Sequence, residues 1–227
     1  MSKRRAAGNT IIEFALVMVF LIPLFAGTFT IGMALTKGIQ VSNVARDAVV
    51  LMVTATTNSR SGLNLSQTQN QRIIVSAAQG LGMALDAQND PSSTGSAVVI
   101  LSKVVMVGPT ECSLGGMTPN SSAPTWTTGN CPNYGSYAFE YRVVIGNGTR
   151  WTSTLGTPSV AIQSDGSISA ANIASNGAAL DSTFLSVTGL TLTSSNYALV
   201  SEMYTDVSYL NFFNVMSNPV IYARNIS

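Results

Sequence analysis

Apart from Glu13, apolar and small residues run almost unbroken from Ile11 to Leu35, then thin into a one-sided stripe. Phe14 to Leu35 carries no charge; at 1.5 Å per residue its 22 positions make a helix about 33 Å long, enough to cross a hydrocarbon core of ~30 Å. Beyond it Val41, Val44, Ala45, Ala48, Met52 and Ala55 recur at helical spacing, with Gln40, Asn43, Arg46 and Asp47 off the stripe. The pattern predicts one helix over 9–57, membrane-spanning in its first half and amphipathic in its second. Pro23 removes one backbone hydrogen bond, and Gly27, Gly32 and Gly38 weaken the helix locally. In a membrane such positions also let helices approach closely. A kinked lone anchor is the competing reading.

Asn58 to Leu65 has loop composition. Ser66-Gln67-Thr68-Gln69 reads as a capping box opening a second helix over 66–86, with Ile73, Ile74, Ala77, Ala78, Leu81 and Leu85 as its apolar face. Gly80 and Gly82 fall in its last turns. From residue 95 the period changes to two. Ser96–Val107 is rich in Val and Ile, and Tyr137, Phe139, Tyr141, Val143 and Ile145 alternate with Ala138, Glu140, Arg142 and Val144. Ser159–Ser164, Leu185–Thr193 and Tyr197–Tyr204 are further expected strands. A Pro-, Gly-, Ser-, Asn- and Thr-rich loop between the first two strands holds Cys112 and Cys131. The expected class is α+β: a long amino-terminal helix packed on a second helix and an antiparallel sheet, with no internal repeat.

Composition narrows what such a chain can do. Charged residues are 9% of the 227, against ~25% in ordinary domains, so Ser, Thr, Asn and Gly must solvate the surface. Net charge is +1, and three of the basic residues are Lys3, Arg4 and Arg5. Without the first eight residues, eight basic groups face ten acidic ones, a net of −2. Basicity therefore belongs to the leader, and no nucleic-acid footprint is present. The absence of histidine removes the commonest general base and zinc ligand. Cys112 and Cys131 match no metal-site spacing; in an oxidising compartment they pair as a disulfide, with two free thiols as the alternative.

No Gly-x-Ser-x-Gly elbow or P-loop occurs. Asp165-Gly166 and Asn147-Gly148 are dipeptides of tight turns. Asp86, Asp90 and Glu111 are dispersed and match no EF-hand. Asn64, Asn120 and Asn147 fit the N-glycosylation pattern, a three-residue signal that recurs by chance. Trp126 and Trp151 read as buried anchors rather than ligand platforms. These observations argue against an enzyme and for no cofactor, catalytic residue or metal site.

The amino-terminal segment admits three readings. A secretory signal peptide conflicts with an apolar run longer than the usual 7–15 residues, whose best small-x-small site, Gly32-Met33-Ala34, falls near its end. A plain signal anchor, oriented with its basic end in the cytoplasm, leaves Glu13 unexplained, because a carboxylate deep in lipid costs about 2.5–3.5 kcal/mol. No Lys or Arg lies between Arg5 and Lys37. In the third reading a short basic leader ends at Gly8, and cleavage there makes Asn9 the first residue, Glu13 the fifth and Phe14 the sixth.

Basic leader, Gly, four residues, Glu and an apolar helix resemble the prepilin-peptidase site of type IV pilins and pseudopilins. Within that class Glu13-Phe14-Ala15-Leu16-Val17, Pro23, Val44-Ala45-Arg46-Asp47-Ala48 and, loosely, Ser201-Glu202-Met203-Tyr204 resemble TadE-type pseudopilins of tight-adherence (Tad) systems. The resemblance covers residues 4–52 well and implies a pilin-like minor subunit. It implies a leader over 1–8, a membrane and assembly helix over 9–57, and an extracytoplasmic head over 58–227. Its implied partners are a prepilin peptidase, other pilin subunits and, before assembly, the bacterial inner membrane; its implied destination is a surface pilus. Glu13 would pair with an amino terminus created by cleavage, on the same or a neighbouring subunit. A main filament subunit and a membrane-tethered adhesin that never assembles are the alternatives.

Overall fold

The computed structural model describes residues 4–56, 68–78, 80–82, 95–120, 125–175, 177–180, 183–194, 196–210 and 219–227. Its first element, α1, is one unbroken helix from Arg4 to Thr56 that passes through Pro23. It starts before the expected residue 9, since alanine and arginine at its start are strong helix formers. A second helix, α2, spans Thr68–Ala77. It is shorter than the expected 66–86 because Gly80 and Gly82 take left-handed backbone, at φ of 85° and 70°, and end the helical run. The loop expected at 58–65, and Ser66 and Gln67 of the capping box, lie outside the described residues.

Five strands form one antiparallel sheet in the order β3-β2-β1-β4-β5. They are β1 (Ala97–Met106), β2 (Tyr137–Gly146), β3 (Ala179–Leu180), β4 (Tyr197–Asp206) and β5 (Val220–Ile226). The β1–β2 register shifts between Lys103, opposite Tyr141, and Val104, opposite Phe139. Glu140 is the extra residue of that bulge, and it pairs with Lys103 Nζ at 2.7 Å. Gly146 ends β2 at φ 90°, where a Cβ would stand 2.5 Å from the Ala97 carbonyl oxygen.

One sheet face meets the helices. Ala97, Val99, Leu101, Tyr141, Val143, Ile145, Leu199 and Met203 bury against Val41, Val44, Ala45, Ala48 and Met52 of α1 and Ile74 of α2. The amphipathic half of α1 lies across β4 and β5, so the stripe legible in the sequence is the stripe that packs. On the other face Val98, Ile100 and Tyr204 are covered by Trp151 and Val144.

The remaining core sits at the far end of the sheet, where three short helices pack: α3 (Pro109–Leu114), α4 (Ala170–Ser175) and α5 (Thr183–Thr188). Two expected strands are absent there. Leu185–Thr193 begins instead inside α5: Phe184 is fully buried against Tyr137, ring centroids 4.8 Å apart, and Val187 and Thr188 follow it inward at helical spacing. Gly189, at φ 69°, ends that turn. Ser159–Ser164 is irregular, because the outer edge of β2 is occupied by Gly166, Ile168 and Ala178 through single backbone bonds.

Cys112 stands on α3 rather than in a loop, and it is bonded to Cys131, with a Cα–Cα distance of 5.8 Å and a sequence separation of 19. Both half-cystines are fully buried. Closing a loop of that length contributes about 3 kcal/mol by restricting the unfolded chain. The double substitution Cys112→Ser/Cys131→Ser should therefore lower the urea midpoint of the head by an amount worth about 3 kcal/mol. An unchanged midpoint would show that the bridge adds nothing to the packing around it.

Candidate assembly surface

Among the described residues, no part of the head covers the first half of α1. Ile11, Phe14, Phe20, Leu24 and Phe25 are each about two-thirds exposed (61–71%). The helix is long and apolar enough to cross a membrane, and its most apolar 18-residue window has no residue buried by the rest of the chain. Its threonines turn their hydroxyls back onto the helix. Thr28 Oγ1 donates to the Phe25 carbonyl at 2.9 Å, Thr30 to Ala26 at 2.7 Å and Thr36 to Gly32 at 2.9 Å. Each hydroxyl is satisfied by its own helix. At Gly27, Gly32 and Gly38 an added Cβ would meet nothing within 4 Å, so these positions are open to another helix.

Glu13 and Phe14 lie exposed on this surface, three turns before Pro23, and Gly8 and Asn9 are part of the same helix. Head contact starts where the apolar run ends. Met33 and Ala34 are half-buried, and Lys37 Nζ donates to the Gly80 carbonyl at 2.5 Å. From Val41 onward one side of α1 is fully covered, while Ser42, Asn43, Arg46, Asp47 and Val50 stay exposed on the other. The helix therefore presents a continuous free face about 60 Å long, apolar for its first two-thirds and mixed beyond.

Residues 8–49 match the family of TadE-like proteins. The TadE-like segment coincides with the free apolar run and the first turns of the buried stripe, and the match points to a pilus-associated, pilin-like subunit. Searches of curated proteins and of solved structures gave no match. The head outside the TadE-like segment must therefore be read from its own chemistry.

A polar cluster in the head centres on Glu202, which is fully buried in β4. Its carboxylate accepts from Ser153 Oγ, from Thr154 Oγ1, from the Thr154 N–H at 2.9 Å and from Tyr222 OH at 3.1 Å. Tyr204 OH lies at 3.5 Å. Nearby Arg142, also buried, donates to the Gly156 carbonyl at 2.8 Å. Burial pulls the Arg142 pKa down to about 10, against the attraction of Glu202. Burial raises the phenol of Tyr204, and the Glu202 charge raises it further. These donors take up the lone pairs of Glu202, so it fastens the 151–156 loop to the sheet.

Among the described residues no three His, Cys, Asp or Glu come together to hold a metal ion. Glu111 instead accepts from the Gly108 N–H at 2.9 Å and caps α3, while Asp86 and Asp90 lie outside the described residues. Asp165 accepts from Ser167 Oγ at 2.6 Å and Ser167 N–H at 2.9 Å; these bonds hold its pKa below the usual carboxylate value and close the Asp165-Gly166 turn. The sequence reading missed Glu202 as an organising residue. Its signal was a single carboxylate inside the run Ala-Leu-Val-Ser-Glu-Met-Tyr, where only a paired charge survives burial.

Proposed function

We infer that this chain is a pilin-like minor subunit of a Tad-like type IV pilus, cut by a prepilin peptidase between Gly8 and Asn9. The observation that carries the reading is the coincidence of the TadE-like match with a helix whose apolar face is left uncovered by its own head. An apolar face of that length needs lipid first and other subunits afterwards. Before assembly the subunit sits in the inner membrane, amino terminus in the cytoplasm and head outside, as the basic leader and the disulfide favour. After assembly the helices form the filament interior and the heads its outside, at the cell surface. Identical head-to-tail contacts that do not close produce such a filament. Glu13 supplies the counter-charge for an amino terminus at Asn9 on a neighbour. The head has a structural and not a catalytic role.

The intact mass of the chain purified from its own membranes tests this directly. The expected mass corresponds to a start at Asn9, with or without one methyl group. A chain retaining Met1 to Gly8 in cells with an active prepilin peptidase would refute the processing and the assembly that depends on it.

A further inference from the structure

The mixed outer third of the free face of α1 has no role in lipid. Arg46 and Asp47 are its charged residues, both exposed, and neither belongs to the ion pairs among the described residues, Lys103–Glu140 and Arg150–Asp206. Ile39 and Val50 flank them, 64% and 53% exposed. Since α1 is unbroken from Arg4 to Thr56, angular positions along it can be compared. Successive residues differ by about 100° around the axis, which puts Arg46 and Asp47 on different flanks of the free face. Glu13, about nine turns earlier, falls within about 60° of Arg46 and about 160° from Asp47. One flank thus carries Glu13 and Arg46, and the opposite flank carries Asp47.

We propose that Arg46 of one copy pairs with Asp47 of the next, as a second charged contact between subunits outside the membrane. It rests on the assembly reading above, taken in the form where copies of this chain are neighbours and the amino terminus of one meets Glu13 of the next. That contact sets a stagger of about four residues, or ~6 Å along the axis. At the same stagger the incoming Asp47 stands about five residues above Arg46, roughly 7.5 Å away along the axis. Helices packed at 8–10 Å leave a separation that an extended arginine and an aspartate span together. In a translated parallel neighbour the side that faces back lies about 180° from Glu13, within about 20° of Asp47, so the copy that offers its amino terminus to Glu13 would also turn its Asp47 flank toward Arg46. One helix therefore carries both halves of the contact on opposite flanks, and a second copy is the partner that complements it. Because each copy gives on one flank and receives on the other, the contact propagates instead of closing.

Charge reversal tests the pair in the full-length chain. Arg46→Glu and Asp47→Lys each set like charges against each other, and each should lower incorporation into sheared filaments about tenfold with normal membrane levels. The double variant Arg46→Glu/Asp47→Lys should recover most of the loss. In cells carrying an Arg46→Cys chain beside an Asp47→Cys chain, a short bismaleimide should join two copies, with far less product from either chain alone. Reversals without effect on a normally incorporated chain would overturn the pair. So would a reversal effect with no cross-linked copies, since another subunit would then supply the opposite charge. If the unaltered chain never enters filaments, the assembly reading itself fails and this contact falls with it.

Discussion

Glu202→Ala should lower the unfolding stability of the head by about 3–5 kcal/mol, the range for removing one partner from a buried charged cluster. The carboxylate accepts bonds from Ser153, Thr154 and Tyr222 in a fully buried site. Alanine leaves the buried Ser153 hydroxyl without its acceptor, at a cost of about 1–3 kcal/mol, while the exposed Thr154 and Tyr222 can turn to water. It also withdraws the charge that offsets the desolvation of Arg142. Glu202→Gln keeps the size and one good acceptor, so its loss should be the smaller of the two. Urea unfolding of the detergent-solubilised chain, followed by near-ultraviolet circular dichroism, would measure both.

The glutamine variant also carries a pH signature. Burial raises the Tyr204 and Tyr222 phenols above their ordinary value, and the Glu202 charge raises them further, with a Thr154 hydrogen bond opposing at Tyr222. A phenol raised in the folded state contributes stability that is complete below the free tyrosine value of about 10. That stability is lost as pH climbs through the higher folded value. With the charge removed, these two residues should ionise at lower pH in the folded chain, and the stability loss, which starts near the free value in both proteins, should end sooner and be smaller. Tyrosinate absorbance in the folded chain reads this, and coincident curves for the two proteins would show that Glu202 does not act on them as a charge.

The parts of this fold that one element's own periodicity determines were legible in the sequence. The α1 stripe from Val41 to Met52 packs as its spacing required, and β1, β2 and β4 lie within two residues of their expected ends. The parts that depend on distant partners were not. Leu185–Thr193 has the β-branched content of a strand, yet the burial of Phe184 against Tyr137 makes its start helical. β5 was not foreseen, since Ile-Tyr-Ala-Arg-Asn is an unremarkable polar alternation until β4 and α1 pack against it. The free apolar run of α1 was legible for the opposite reason. Its defining property is that no described part of the head covers it, so the pattern of the run alone decides it.

Glu13→Ala should move two measurements in opposite directions. Insertion into the membrane should be unchanged or improved, because a carboxylate in the bilayer costs about 2.5–3.5 kcal/mol at the centre and less near the end where Glu13 lies. Incorporation into filaments should fall about 100-fold or more, because the amino terminus of the neighbour would be buried in an apolar bundle with no counter-charge. Breaking such a pair costs about 3–5 kcal/mol, which is two to three decades in an association constant. Glu13→Gln separates charge from hydrogen bonding, and it should fall near alanine if attraction to an ammonium group is the source of the energy. Protease protection of the head in spheroplasts reads insertion, and the subunit content of sheared filaments reads assembly. A helix that served only as an anchor would gain from the substitution in the first assay and lose nothing in the second. That pattern would return the chain to the tethered-module reading, with Glu13 as a tolerated cost rather than a contact.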